Sequence, residues 1–136
     1  MTKVFLDADV GFDFIAQRQP FFSDACEIFQ LAQQGAIDLF ASGLSFAHWF
    51  YHFRQKRGSP LALAKLISVK PLLHVAVTDE QVVEQALASD FADFEDALQY
   101  FSALRAGVDV FLTRNIKDYR KAKIPVLTPE AFLRTI

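Results

Sequence analysis

Asp7 closes the apolar run Val4-Phe5-Leu6 and is followed by Ala8-Asp9. A carboxylate placed directly after a run that reads as a buried strand sits at the rim of a sheet. There its charge costs several kcal/mol unless a cation or hydrogen bonds offset it. Asp9 also reads as the N-cap of the helix that follows, and a cap at that position leaves Asp7 without a purely structural purpose. A second group, Asp93-Phe94-Glu95-Asp96, opens a helix. Asp93, Asp96 and Tyr100 fall on one face by their spacing of three and four, and Tyr100 and Ala103 make that face the inward one. A third group, Thr113-Arg114-Asn115 with Asp118, follows another apolar run. It reads either as an ordinary turn or as the segment that completes an oxygen-lined pocket with Asp7 and Asp96. Clustered carboxylates without soft ligands select hard cations such as Mg²⁺ or Mn²⁺. Such ions make a water nucleophilic near neutral pH and neutralise charge developing on a phosphoryl group. The chemistry indicated is phosphodiester hydrolysis.

Other chemistries find less material. His48 and His52 stand four apart on one helical segment, but no cysteine and no well-placed third histidine completes a zinc site. With Ser45 and Gln55 they form a polar stripe that either lines the acidic pocket or satisfies hydrogen bonds in the core. Cys26 is the only cysteine, which excludes an intrachain disulfide and a cysteine-rich metal site. Gly11, Gly43 and Gly107 are isolated, so there is no glycine-rich phosphate loop.

The elements that must carry these residues alternate between short apolar runs and amphipathic segments. Strands are expected at Val4–Leu6, Ile37–Ala41, Leu73–Val77, Val108–Leu112 and Pro125–Leu127, and the first, wholly apolar, reads as fully buried. Helices are expected at about 10–17, from Ser23 to Gly35, and from Ser45 as N-cap to Arg57 with Gly58 as terminator. Another starts at Ser59-Pro60, and one near 78–88 opens on a Thr78/Gln81 capping box. The last two run over about 93–106 and from Thr128-Pro129 onward. Strands separated by helices require crossovers, which gives a three-layer α/β/α sandwich around a mainly parallel sheet of about five strands. Ligands of such sheets bind beyond the carboxyl ends of strands, where Asp7 and Thr113-Arg114-Asn115 both lie.

At 136 residues the chain is expected to form one domain over residues 1–136. Its formal net charge of −2 argues against a strongly cationic, non-specific nucleic-acid binder. Basic residues nevertheless gather locally, at Arg114, Lys117, Arg120, Lys121 and Lys123, and at Arg54, Lys56 and Arg57. An early acid at Asp7 argues against a signal peptide, and the longest uncharged stretch, 39–53, is too short to span a bilayer. A cytoplasmic protein is expected. The 15 phenylalanines are more than one core would hold and suggest an aromatic partner surface, with the 46–53 helix as its candidate.

The segments Val4-Phe5-Leu6-Asp7-Ala8-Asp9-Val10, Asp93-Phe94-Glu95-Asp96-Ala97-Leu98-Gln99-Tyr100 and Phe111-Leu112-Thr113-Arg114-Asn115-Ile116-Lys117-Asp118-Tyr119, in this order and spacing, resemble the PIN domain family. Within it the likeness is to the single-domain VapC-like toxins of toxin–antitoxin pairs. The resemblance implies an Mg²⁺- or Mn²⁺-dependent ribonuclease, often a homodimer, held inactive by an antitoxin. Asp7 and Asp96 would be its metal-binding acids. Asp93, Asn115 and Asp118 would complete the catalytic group, and Asp9, Ser45, His48, Thr113 and Arg114 would line it. His48 stands where many members carry Glu, and Asn115 where many carry Asp. Two alternatives accompany this reading. One is a PIN-like interaction protein with little catalysis. The other is a phosphohydrolase of the haloacid-dehalogenase type, for which Asp-x-Asp after an apolar strand is also a signature.

Overall fold

The computed structural model covers residues 1–136. Strands β1 (Thr2–Leu6), β2 (Ile37–Ser42), β3 (His74–Ala76), β4 (Val110–Leu112) and β5 (Val126–Leu127) form one sheet in the order β3-β2-β1-β4-β5. Every pairing is parallel. The central strand, β1, is the most apolar: Val4, Phe5 and Leu6 have no exposed surface, as expected of a parallel strand covered on both faces. Strand order reverses on either side of β1, so the crevice beyond its carboxyl end is where this topology places a site.

Seven helices cover the sheet: α1 (Ala8–Ile15), α2 (Phe22–Gln33), α3 (Gly43–Arg57), α4 (Ser59–Val69), α5 (Glu80–Leu87), α6 (Phe94–Arg105) and α7 (Pro129–Leu133), with single 3₁₀ turns at Lys70–Leu72 and Ile116–Tyr119. The alternating side chains of the strands divide the interior in two. Val4, Leu6, Leu39, Val110 and Leu112 pack with residues of α1 to α4 and α7 on one face. Phe5 and Phe111 pack with Tyr100 and Ala103 of α6 and with Tyr119 on the other. The three-layer arrangement expected from the sequence is present, with the sheet wholly rather than mainly parallel.

The phenylalanines are distributed over these two interiors. Of the 15 only Phe21 and Phe94 are exposed, and on α3 Trp49 and Phe53 are buried. The 46–53 helix, expected as an aromatic partner surface, thus buries two of its rings, half-buries Phe46 and Phe50, and leaves Tyr51 53% exposed. Trp49 and Phe53 turn inward because the helix lies against α1, β2 and α4. Several helix starts also move. The hydroxyl that caps α3 belongs to Ser42, which accepts from Ser45 N at 3.2 Å. Asp79 rather than Thr78 caps α5, and α2 begins at Phe22 with no side-chain cap.

Trp49 fixes α1 in place. Its indole N–H donates to the Ala8 carbonyl at 2.7 Å, and its ring lies against Gly11 so closely that a Cβ there would overlap it. Gly11 is thus the position that lets α1 and α3 approach, and the first turn of α1 carries Asp7 and Asp9. Gly11→Ala should destabilise the protein by about 1–3 kcal/mol despite the better helix propensity of alanine. The check is the urea midpoint at constant slope; an unchanged midpoint would show that α3 can move aside.

Candidate active site

Asp7 ends β1 and begins α1. Its backbone N–H donates to Leu112 O at 2.9 Å, which ties it to the end of β4. Its extended backbone makes it the N-cap of α1, the position assigned above to Asp9. The buried carboxylate accepts from Ala8 N at 2.8 Å through Oδ1. Through Oδ2 it accepts from the hydroxyls of Thr113 at 2.8 Å and Tyr119 at 3.2 Å. The same Tyr119 hydroxyl faces Asp96 Oδ1 at 3.1 Å, so one phenol bridges two carboxylates from opposite ends of the chain. Asp9 stands one residue into α1. Its Oδ2 accepts from Asn115 Nδ2 at 3.1 Å, and its Oδ1 is buried with no hydrogen-bond partner.

These acids repel one another in a dry setting. Burial, followed by the charge of Asp9, pushes the Asp7 carboxyl up to about 7, against the hydrogen bonds from Thr113 and Ala8. Burial, then Asp93, raises Asp96 to about 6, with the Tyr119 hydrogen bond opposing. Burial also raises Asp9, against the pull of Arg114. The phenol of Tyr119 is held far above its ordinary value by burial and by the two carboxylates, so it remains a neutral donor.

The other residues singled out from sequence occupy varied positions. Asp93 is exposed and caps α6 by accepting from Asp96 N at 2.9 Å; it lies off the inward face and acts on Asp96 through charge. Asp118 is exposed on the 3₁₀ turn and raises Asp96 from a distance. Thr113 is fully buried and accepts from Asn115 N at 3.1 Å while donating to Asp7. Arg114 departs from its basic neighbours. Its guanidinium pairs with buried Asp13 at 2.8 Å and lies 4.0 Å from the centroid of the Phe21 ring. Ser45 neither caps α3 nor touches the acids. It accepts from Gln99 Nε2 at 3.0 Å, while Ser42 donates to Gln99 Oε1 at 2.8 Å, a buried polar link between α3 and α6. His48 faces the acids from α3, with Nδ1 3.9 Å from Glu95. Burial and the neighbouring His52 hold its pKa below the ordinary value, while Glu95 and Asp9 pull the other way.

Tyr119, Asp13 and Gln99 were not singled out from sequence. Tyr119 sits between Asp118 and Arg120, a setting that reads as surface loop, and only its lone aromatic character hinted at burial. Asp13 lies four residues after Asp9, between Phe12 and Phe14. An acid in an apolar stretch was the available signal.

The sequence profile of the PIN domain matches residues 3–117. The chain belongs to the PIN domain family. It is 27% identical over 135 residues, covering 96% of this chain and 92% of the relative, to Ribonuclease VapC1 of Aquifex aeolicus (strain VF5). Among solved structures it is similar to VapBC2 from Rickettsia felis bound to a DNA fragment from their promoter, with TM-score 0.70 and 14% identity over 93% of this chain and 97% of that one. It is also similar to Mycobacterium tuberculosis VapC20, a Sarcin-Ricin loop cleaving toxin, with TM-score 0.62 and 16% identity over 79% and 86%. At these identities the solved structures speak for the fold.

In this PIN domain no three His, Cys, Asp or Glu side chains form a ready-made metal cage. The donor chemistry is nevertheless that of a hard-cation site: two carboxylates within reach of one hydroxyl, and beside them an orphaned, buried Asp9 oxygen. The haloacid-dehalogenase alternative lacks its required lysine, because the partners of the Asp7 carboxylate are Ala8, Thr113 and Tyr119. No helix is long and apolar enough to cross a membrane.

Proposed function

We propose that this PIN-domain protein is an Mg²⁺- or Mn²⁺-dependent endoribonuclease and the toxin of a toxin–antitoxin pair. In this reading it acts in the cytoplasm as a homodimer of single-domain chains and is restrained by an antitoxin protein. The observation that carries the reading is the joining of Asp7 and Asp96 through Tyr119, next to an Asp9 oxygen with no partner. The similarity to Ribonuclease VapC1 supports RNA as substrate, and the likeness to VapBC2 and VapC20 supports the toxin assignment.

Asp7 and Asp96 would hold the cation, with Asp9 as the third oxygen donor. When bound, the cation supplies a nucleophilic water and neutralises charge on the phosphoryl group. Thr113 and Tyr119 fix the orientation of Asp7, and Asn115 fixes that of Asp9. His48, kept neutral near pH 7, can exchange a proton with groups at the mouth of the site. Purified protein should cleave single-stranded RNA when Mn²⁺ or Mg²⁺ is added and stop on chelation. Absence of cleavage with either ion between about pH 6 and 8.5 would overturn the reading.

A further inference from the structure

A cavity of about 500 Å³ lies between the end of α1 and the last turns of α3, with Phe12, Arg18, His52, Phe53, Lys56 and Arg57 among its lining residues. Three of its residues are cations and none is a carboxylate. Lys56 and Arg57 pair with no acid anywhere in the molecule. Arg18 reaches Asp13 at 3.5 Å, but Asp13 is held more closely by Arg114, so one buried carboxylate faces two guanidinium groups. In a chain of net charge −2, this is a local positive field in an acid-free pocket.

The rings are arranged with the cations. Arg18 lies 5.4 Å from the centroid of Phe12 and Arg57 6.0 Å from that of Phe53. Phe12 also meets His52 edge-on at 6.0 Å. Guanidinium groups beside flat apolar faces suit a ligand that is both anionic and aromatic. Side-chain contacts lead from the cavity to the acidic site. His52 stacks on His48 at 4.0 Å, Phe12 touches His48 as well, and His48 lies against Glu95 and within the field of Asp9. The other basic segment is less suited to phosphate. Lys117, Arg120 and Lys121 share their cavity with Asp90 and Asp118, Lys121 is paired with Asp90 at 3.7 Å, and Arg114 points elsewhere.

We infer that the α1–α3 cavity is a nucleotide subsite that grips the RNA strand beside the acidic centre, with Lys56 and Arg57 on phosphate and the Phe12–His52 wall against a base. The inference rests on the ribonuclease reading for its ligand, and its test is independent of cleavage. The full-length protein in chelator is titrated with a fluorescent single-stranded RNA, and anisotropy is read at several salt concentrations. Lys56→Ala/Arg57→Ala should weaken binding about tenfold or more and flatten the slope of log Kd against log salt by about one to two. His52→Ala should weaken it several-fold with the slope unchanged. Lys56→Arg/Arg57→Lys should restore binding, which separates charge from folding. A double alanine variant that binds RNA like the wild type overturns the subsite, even if the protein proves to be a nuclease. If that variant instead loses affinity for a glutamate oligomer while keeping RNA, the cavity belongs to an acidic protein partner and the inference fails. If RNA binding falls as expected but the wild type cleaves nothing with metal, the subsite stands and the nuclease reading falls.

Discussion

Asp7→Asn should lower RNA cleavage by at least about 10³-fold while making the metal-free protein more stable at pH 8, by about 1–3 kcal/mol. The two effects share one cause. Asp7 is buried, with its pKa raised from 3.8 to about 7 by burial and by Asp9. The unfolded chain releases this proton near pH 4 and the folded chain keeps it to near neutrality. Stability is therefore lost as pH rises through this window, with the full cost present above about pH 7. Asparagine keeps the shape and, through its amide oxygen, the cap on Ala8 N. Its NH₂ meets the Thr113 hydroxyl with the donor reversed, and the charge that the site must otherwise hold without a counterion is removed. Unfolding by urea in chelator at about pH 5 and pH 8 should show a clear fall for the wild type and a flatter profile for the variant. Asp96→Asn should behave in the same direction with a smaller change, since Asp96 is only partly buried and its pKa rises only to about 6. A variant that cuts RNA like the wild type removes Asp7 from the catalytic group. A destabilised one makes its carboxylate a structural anchor.

The elements that hold these acids were largely legible because a parallel sheet covered on both faces demands uninterrupted apolar strands. Val4-Phe5-Leu6 could be nothing else. Strand ends were less legible. Val108 reads as the start of the run by its apolar character, but the register of β4 with β1 starts at Val110, after Asp109 has exchanged hydrogen bonds with Lys3. Register across strands is not written in a local pattern. Caps shifted for a related reason. Ser42 and Ser45 are both plausible caps for α3 by type, and the choice was made by Gln99 of α6, which binds both hydroxyls. Asp7 and Asp9 exchanged the capping position because the end of β4, through Leu112 O, holds Asp7 in extended conformation. The bridging hydroxyl was the least legible feature. Its worth depends on Asp7 and Asp96, which only the assembled fold brings within reach of Tyr119, and nothing beside Tyr119 in sequence points to that.

Tyr119→Phe tests that hydroxyl directly, and the expected outcome is a cation affinity weaker by about 10- to 100-fold with folding largely retained. The ring of Tyr119 is buried against Phe111, with centroids 4.5 Å apart, so the hydroxyl has little freedom and acts as a fixed post between the carboxylates. It engages Asp7 Oδ2 and Asp96 Oδ1 and thereby sets which oxygens remain free of protein donors. Phenylalanine fills the same space, leaves the aromatic contacts in place and lets Asp96 turn. Tyr119 is on this account a positioning residue, and the prediction separates that role from a structural one. Mn²⁺ titration by calorimetry should show the weaker affinity. Proton release on binding should persist, measured as a dependence of the apparent heat on buffer ionisation, because Asp7 and Asp96 still enter with raised pKa values. Cleavage should be poor at limiting Mn²⁺ and recover towards the wild-type rate at saturating Mn²⁺. A residue needed only for folding would lower stability without this recovery, and a residue needed for the chemical step would leave the rate low at every Mn²⁺ concentration. Unchanged affinity would mean that the carboxylates are oriented by Thr113 and the Asp93 cap of α6 alone.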